Sequence, residues 1–206
     1  MKAFTGIKSI IFAGTALMVS GCGTTVVDLD NPEEKAAMSN VMALEYRDFE
    51  KAANKAVQEM ISSGAVTNRS GGRYVLVISR ITNDTMQKID TDQLIKKIRT
   101  QLLQSGKVVV TSAVGLDGAE DPMVMKARQL RKSKEVNQAN VAKKGTIVAP
   151  DLSLSGKIIQ RNLDLDFGGE RVEYYFQLTL TDLTTGLAIW EGETPIIKEG
   201  RKAPIW

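Results

Sequence analysis

The sequence predicts an α+β fold: a single mixed, largely antiparallel sheet of four or five strands with helices packed mainly on one face. Three observations lead there. Capped segments with helical apolar spacing gather early in the chain, strict two-residue alternation runs from Val172 to Thr181, and glycine-bearing turns flank that alternation on both sides.

Taken in order, the first strong helix opens near Asp48, read as its N-cap. It repeats Phe49, Ala53, Ala56, Val57, Met60 and Ile61 at three- and four-residue steps until Gly64 closes it. Tyr74 to Ile78 is a β-branched apolar run behind Gly71-Gly72, ended by Asn83-Asp84, and reads as a central strand. Asp90, Thr91 or Asp92 caps a second helix with Leu94, Ile95, Ile98, Leu102 and Leu103 on one face and Gly106 at C′; Lys107 to Thr111 follows as a strand. Asp121-Pro122 opens a third helix with a modest stripe of Val124, Ala127 and Leu130, and a further short helix is expected to run to Lys144 before Gly145.

From Ile147 the pattern turns to strands. Leu152, Leu154 and Ile158 to Gln160 lead into Asn162 to Gly169, read as a loop with Gly168-Gly169 as its hairpin turn. Val172, Tyr174, Phe176, Leu178 and Leu180 then alternate with Glu173, Tyr175, Gln177, Thr179 and Thr181, so one face packs and the other meets solvent. Thr184-Thr185-Gly186 turns the chain into a last strand, Leu187 to Glu191.

Composition narrows the function. The 206 residues contain no histidine and one cysteine, so Ser-His-Asp and Cys-His machinery, histidine zinc sites and disulfides all lack their groups. No enzyme activity and no cofactor are expected. The lone cysteine is itself informative. Cys22 follows Val19-Ser20-Gly21, behind Lys2, Lys8 and the apolar run Ile10 to Val19, which together read as a cleavable signal ending in a lipobox. The expected organisation is a signal peptide over 1–21, a lipid anchor on Cys22 with a short tether over 22–44, and one domain over 45–206; a short helix is expected from Pro32. Without residues 1–21 the chain keeps 25 basic and 24 acidic side chains, a balance near +1 that points to no electrostatic partner. From Cys22 to Asp48 is 26 residues, at most about 90 Å extended and ~30 Å root-mean-square when flexible.

Several side-chain groups invite a functional reading. Asp164, Asp166 and Glu170 offer oxygen ligands for calcium, and a solvated turn accounts for the same residues. Lys126, Arg128, Arg131, Lys132 and Lys134 form a basic stretch that suits anionic headgroups or an acidic partner, and equally a solvated helix face. Nucleic acid is not an expected partner, because no aromatics are interleaved for base stacking. Tyr175, on the strand face opposite Tyr174 and Phe176, and Trp190, on a neighbouring strand, form the expected partner-binding patch unless the domain's own loops cover them. Ser153 and Ser155 near Lys157 hold the groups of a Ser-Lys nucleophile, though such residues are ordinary in a strand.

Four stretches, in this order, carry a resemblance: Arg47-Asp48-Phe49 opening a helix, Ile81-Thr82-Asn83-Asp84-Thr85, Ile89-Asp90-Thr91 through Leu103-Gln104-Ser105-Gly106-Lys107, and Leu180-Thr181-Asp182-Leu183-Thr184-Thr185-Gly186 through Trp190. They resemble the LpoB family of penicillin-binding protein activators. The resemblance implies an outer-membrane lipoprotein facing the periplasm, whose domain binds a class A penicillin-binding protein and stimulates its glycosyltransferase and transpeptidase activities. It implies a regulator of peptidoglycan synthesis and not a catalyst. In known lipoprotein sorting an aspartate after the cysteine retains the protein at the inner membrane, and Gly23 stands here instead. The best-known members carry a long proline-rich tether, whereas only Pro32 lies in that region of this chain. The architecture is also similar to that of the curli secretion lipoprotein, which leaves a structural or secretion component, forming an oligomeric ring at the outer membrane, as the alternative expectation.

Overall fold

The computed structural model describes residues 43–116 and 118–201. The expected signal peptide, Cys22 and the helix read from Pro32 lie outside the described residues. The elements are α1 (Tyr46–Ser62), β1 (Tyr74–Asp84), α2 (Thr91–Gln104), β2 (Val108–Val110), α3 (Pro122–Gln129), β3 (Leu152–Leu165), β4 (Gly169–Asp182) and β5 (Ala188–Arg201). They build a five-stranded sheet of order β2-β1-β3-β4-β5. Strand β1 runs parallel to β2 and β3, while β3, β4 and β5 form an antiparallel ribbon. The predicted α+β class and mixed sheet hold.

Helices α1 and α2 cover one face of the sheet. Ala53, Ala56, Val57 and Met60 of α1 and Leu94, Ile98 and Leu102 of α2 are buried against Leu76, Ile78, Leu154, Ile158, Phe176, Leu178 and Leu180. Asp90 caps α2 by accepting from the N–H groups of Asp92 and Gln93 at 3.0 and 3.1 Å. The N-cap of α1 is Glu45 and not Asp48. Asp48 sits at N3 and takes the Glu45 N–H at 2.9 Å while the Glu45 side chain accepts from the N3 N–H, a reciprocal capping box. An acid at N3 imitates a cap in sequence because both positions accept first-turn N–H groups.

Strand β1 extends past the predicted run, to Asp84, through a bulge between Ile78 and Ile81. The extra residue turns Ile81 back into the core, 2 % exposed and opposite Gly156. A Cβ on Gly156 would lie 2.7 Å from the Gln177 carbonyl oxygen and 2.8 Å from Leu178 Cδ2, so only glycine fits this approach.

Four expectations need correction. Residues 162–165 are strand, since β3 continues to Leu165 and the turn is Asp166-Phe167-Gly168, with Phe167 in the left-handed region at φ 60°. Strand β5 does not stop at Glu191 but runs to Arg201, paired with β4 as far as Gly169. The helix expected before Gly145 is a single 3-10 turn, Gln138–Asn140. The α3 stripe packs against nothing substantial: no residue of α3 is buried, and Leu130, which follows it, is 42 % exposed.

The amino end of the domain is fixed to the last strand. Lys198 Nζ lies 2.6 Å from Asp48 Oδ2 and donates to the Ala43 carbonyl at 2.9 Å, with the Lys198 side chain 9 % exposed.

Candidate partner-binding surface

Alternation in β3, β4 and β5 sends every second side chain away from the helices, and the register stacks these outward residues into rows across the ribbon. The central row is Ile159, Tyr175 and Pro195; the next is Arg161, Glu173 and Ile197, with Ile197 57 % exposed. Polar pairs frame this apolar centre. On one side Gln177 Nε2 donates to Glu193 Oε2 at 2.7 Å, and Lys157 pairs with Asp84 at 2.6 Å. On the other side Arg171 Nη2 meets Glu199 Oε1 at 2.6 Å. An aromatic and aliphatic centre inside a charged rim is the anatomy of a protein-binding patch.

Tyr175 is held in place by its own strand. Its hydroxyl donates to Glu173 Oε2 at 2.6 Å, and that hydrogen bond, ahead of partial burial and the Glu173 charge, raises the phenol above its usual value. The phenol therefore stays protonated, with its single hydrogen committed to Glu173 and its oxygen lone pairs left to accept. On the opposite face of the same strand, Tyr174 is raised as well, first by burial and then by the charges of Asp48 and Glu170.

The structure does not bring Tyr175 and Trp190 together. Trp190 pairs with Leu180, so it faces the helices, where it is half-buried and packs on the core. Tyr175 pairs with Pro195, five residues further along β5 (roughly 17 Å at strand rise) and on the other face. A bulge at Ile189, between the Leu180 and Thr181 pairings, sets that phase. The Trp190 ring also lies over Gly192, where a Cβ would collide with it. Trp190 is thus a packing residue, and Ile159, Pro195 and Ile197 are the neighbours of Tyr175 that sequence reasoning missed. Which residues stand beside one another across strands is fixed by register, which no single strand carries.

The remaining candidates are dispersed or already engaged. Asp164 and Glu170 face each other across the β3–β4 hairpin, Glu170 Oε1 accepts from Asn162 Nδ2 at 2.8 Å, and Asp166 opens the turn. Among the described residues no three histidine, cysteine or acidic side chains gather as a metal-binding group. Ser153 and Ser155 share the outward face with Lys157, whose ammonium is committed to Asp84. An open groove of about 440 Å³ runs beside Ile78–Asn83 of β1, bounded by the start of α2, by Gly115 and Leu116 and by Gly118, Ala119 and Glu120. An Arg99–Glu120 ion pair ties Glu120 in its wall to α2. No helix among the described residues is long and apolar enough to cross a membrane.

A search of curated proteins finds no match. Among solved structures, the LpoB C-terminal domain from Salmonella enterica is 16 % identical, with 72 % of this chain and 98 % of that one covered at a TM-score of 0.42. The corresponding Escherichia coli domain is 15 % identical, with 70 % and 97 % covered at 0.39, and the NMR structure of E. coli LpoB is 14 % identical, with 95 % and 84 % covered at 0.39. The family described as peptidoglycan-synthase activator LpoB matches residues 48–196, from the first turn of α1 to the middle of β5. That span takes in well over half of the 206 residues, and the chain belongs to the LpoB family of peptidoglycan-synthase activators.

Proposed function

We propose that this chain is a lipid-anchored periplasmic regulator that binds a class A penicillin-binding protein and favours its active conformation by binding that state more tightly. In this reading residues 1–21 are removed, Cys22 is acylated, and Gly23 directs the protein to the outer membrane. The domain over 45–206 then faces the periplasm on a short tether. Supporting the reading is the family match over residues 48–196, on a chain whose sequence lacks histidine altogether. The docking surface in this proposal is the outward face of β3–β5, centred on Tyr175.

The observation that carries the choice of surface is the row Ile159, Tyr175 and Pro195, left open between polar pairs. The test is capture of purified class A synthases on the domain, followed by glycan-polymerisation assays. Wild type should stimulate polymerisation. Tyr175→Ala should weaken capture by at least about tenfold, as expected for an aromatic anchor, with an unchanged melting curve. Undiminished stimulation by Tyr175→Ala would remove the surface from the proposal, and failure of wild type to capture any such synthase would remove the partner. Mass spectrometry of the native amino terminus tests acylation of Cys22 independently.

A further inference from the structure

Charge in this protein is segregated along the chain in a way that the overall balance hides. Residues 122–150 carry seven basic side chains and one acid, Glu135, a net of +6, so the rest of the chain from residue 22 is close to −5. This basic segment is α3 and the irregular stretch after it. Arg128 Nη1 donates to the Lys143 carbonyl at 3.2 Å and to Thr146 Oγ1 at 3.0 Å, and Arg131 Nη1 donates to the Ala142 carbonyl at 3.0 Å. The two arginines are therefore engaged with residues 142–146 and hold them alongside the helix.

What remains outward is lysine and apolar side chain. Lys126, Lys132, Lys134, Lys143 and Lys144 are all exposed, and none has an acidic partner among the described residues. Between them Met123 is 60 % exposed and Leu130 42 %; together with Ala127 they fall on one stripe at four- and three-residue steps. A short helix with an unpartnered apolar stripe edged by lysine has the composition of an interfacial membrane contact.

We infer that this lobe rests on the anionic phospholipid headgroups of a bilayer. Two arguments select a bilayer over an acidic protein. Protein interfaces deplete lysine and use arginine to grip carboxylates bidentately, whereas here both arginines are spent on residues 142–146 and the exposed charges left over are lysine points suited to spread-out phosphates. The chain also supplies proximity. Resting on the proposed acylation of Cys22, 21 residues lead from the anchor to Ala43, at most about 75 Å even fully extended. A domain held so close to a bilayer meets it at high effective concentration, which adds to the affinity that the patch has on its own.

The test uses the chain from residue 22 onward with Cys22→Ser, so that no acyl chain contributes and the outcome does not depend on whether the native cysteine is modified. Flotation is measured with vesicles of phosphatidylcholine alone and of phosphatidylcholine mixed with phosphatidylglycerol. Binding to the mixed vesicles only, weakened by added salt, is expected. Replacing the five lysines by glutamine should reduce it by at least about tenfold, since each lysine near an anionic surface contributes roughly fivefold. The double variant Met123→Ser/Leu130→Ser should weaken it further at unchanged charge. Because no residue of α3 is buried, the variants should keep the wild-type melting temperature, which verifies folding. Equal binding to both vesicle types, no binding to either, or full retention by the five-lysine variant would each overturn the inference. So would loss of synthase stimulation by that variant in a bilayer-free assay, which would make the lobe a protein contact.

Discussion

The connection from β2 to β3, residues 111–151, and the β3–β4–β5 ribbon are comparable in length but are held by different forces. In the ribbon, the inward row of β4 is Val172, Tyr174, Phe176, Leu178 and Leu180, each 4 % exposed or less. In the connection no described residue is buried. Side-chain hydrogen bonds hold it instead: the three contacts that Arg128 and Arg131 make with residues 142–146, and Gln138 Nε2 donating to the Leu130 and Ser133 carbonyls at 3.1 and 2.6 Å. Burial scales with apolar area and resists substitution, whereas exposed hydrogen bonds exchange readily with water and contribute little net. The ribbon's inward residues are therefore committed to the fold, and the outward residues of the connection are available for other work.

Substitutions should separate the two regions cleanly. Leu178→Ala empties a site 1 % exposed between the helices and the sheet and should cost about 2–5 kcal/mol in denaturant unfolding. Gly156→Ala, in the same layer, drives a methyl group into the Gln177 carbonyl and should cost about 1–3 kcal/mol by the same measurement. Asp90→Ala, which removes the α2 cap, should cost about 1 kcal/mol. In the connection, Leu130→Ser and Met123→Ser should each change stability by less than about 0.5 kcal/mol. A cost near 2 kcal/mol at either would show that the connection has a core after all.

The same division explains what was legible in the sequence. The inward row of β4 was readable because burial imposed strict alternation on it, and the same pressure wrote the apolar faces of α1 and α2. Asn162-Leu163-Asp164-Leu165 also alternates, yet it extends beyond the cover of the helices, where acids are tolerated and the pattern resembles a loop. The full length of β5 is masked in the sequence because Gly192 and Pro195 carry turn chemistry. Pro195 is accommodated because β5 is an edge strand, paired only with β4. The candidate surface was half legible. Alternation within its strand puts Tyr175 on the correct face, but the bulge at Ile189 reverses the phase of β5 without a sequence mark, so Trp190 turns to the other face. The third helix is legible from Asp121-Pro122, whose cap is local, while its lack of packing is not, because packing depends on what the fold places opposite.

Lys198 grips both the Ala43 carbonyl and the Asp48 carboxylate. A pull arriving through residue 43 consequently lands on the closing strand of the sheet as well as on the first turn of α1. That strand is fourteen residues long and bonded to its neighbour over almost its whole length. The amino end of the domain is accordingly tied by Lys198 to a zippered ladder.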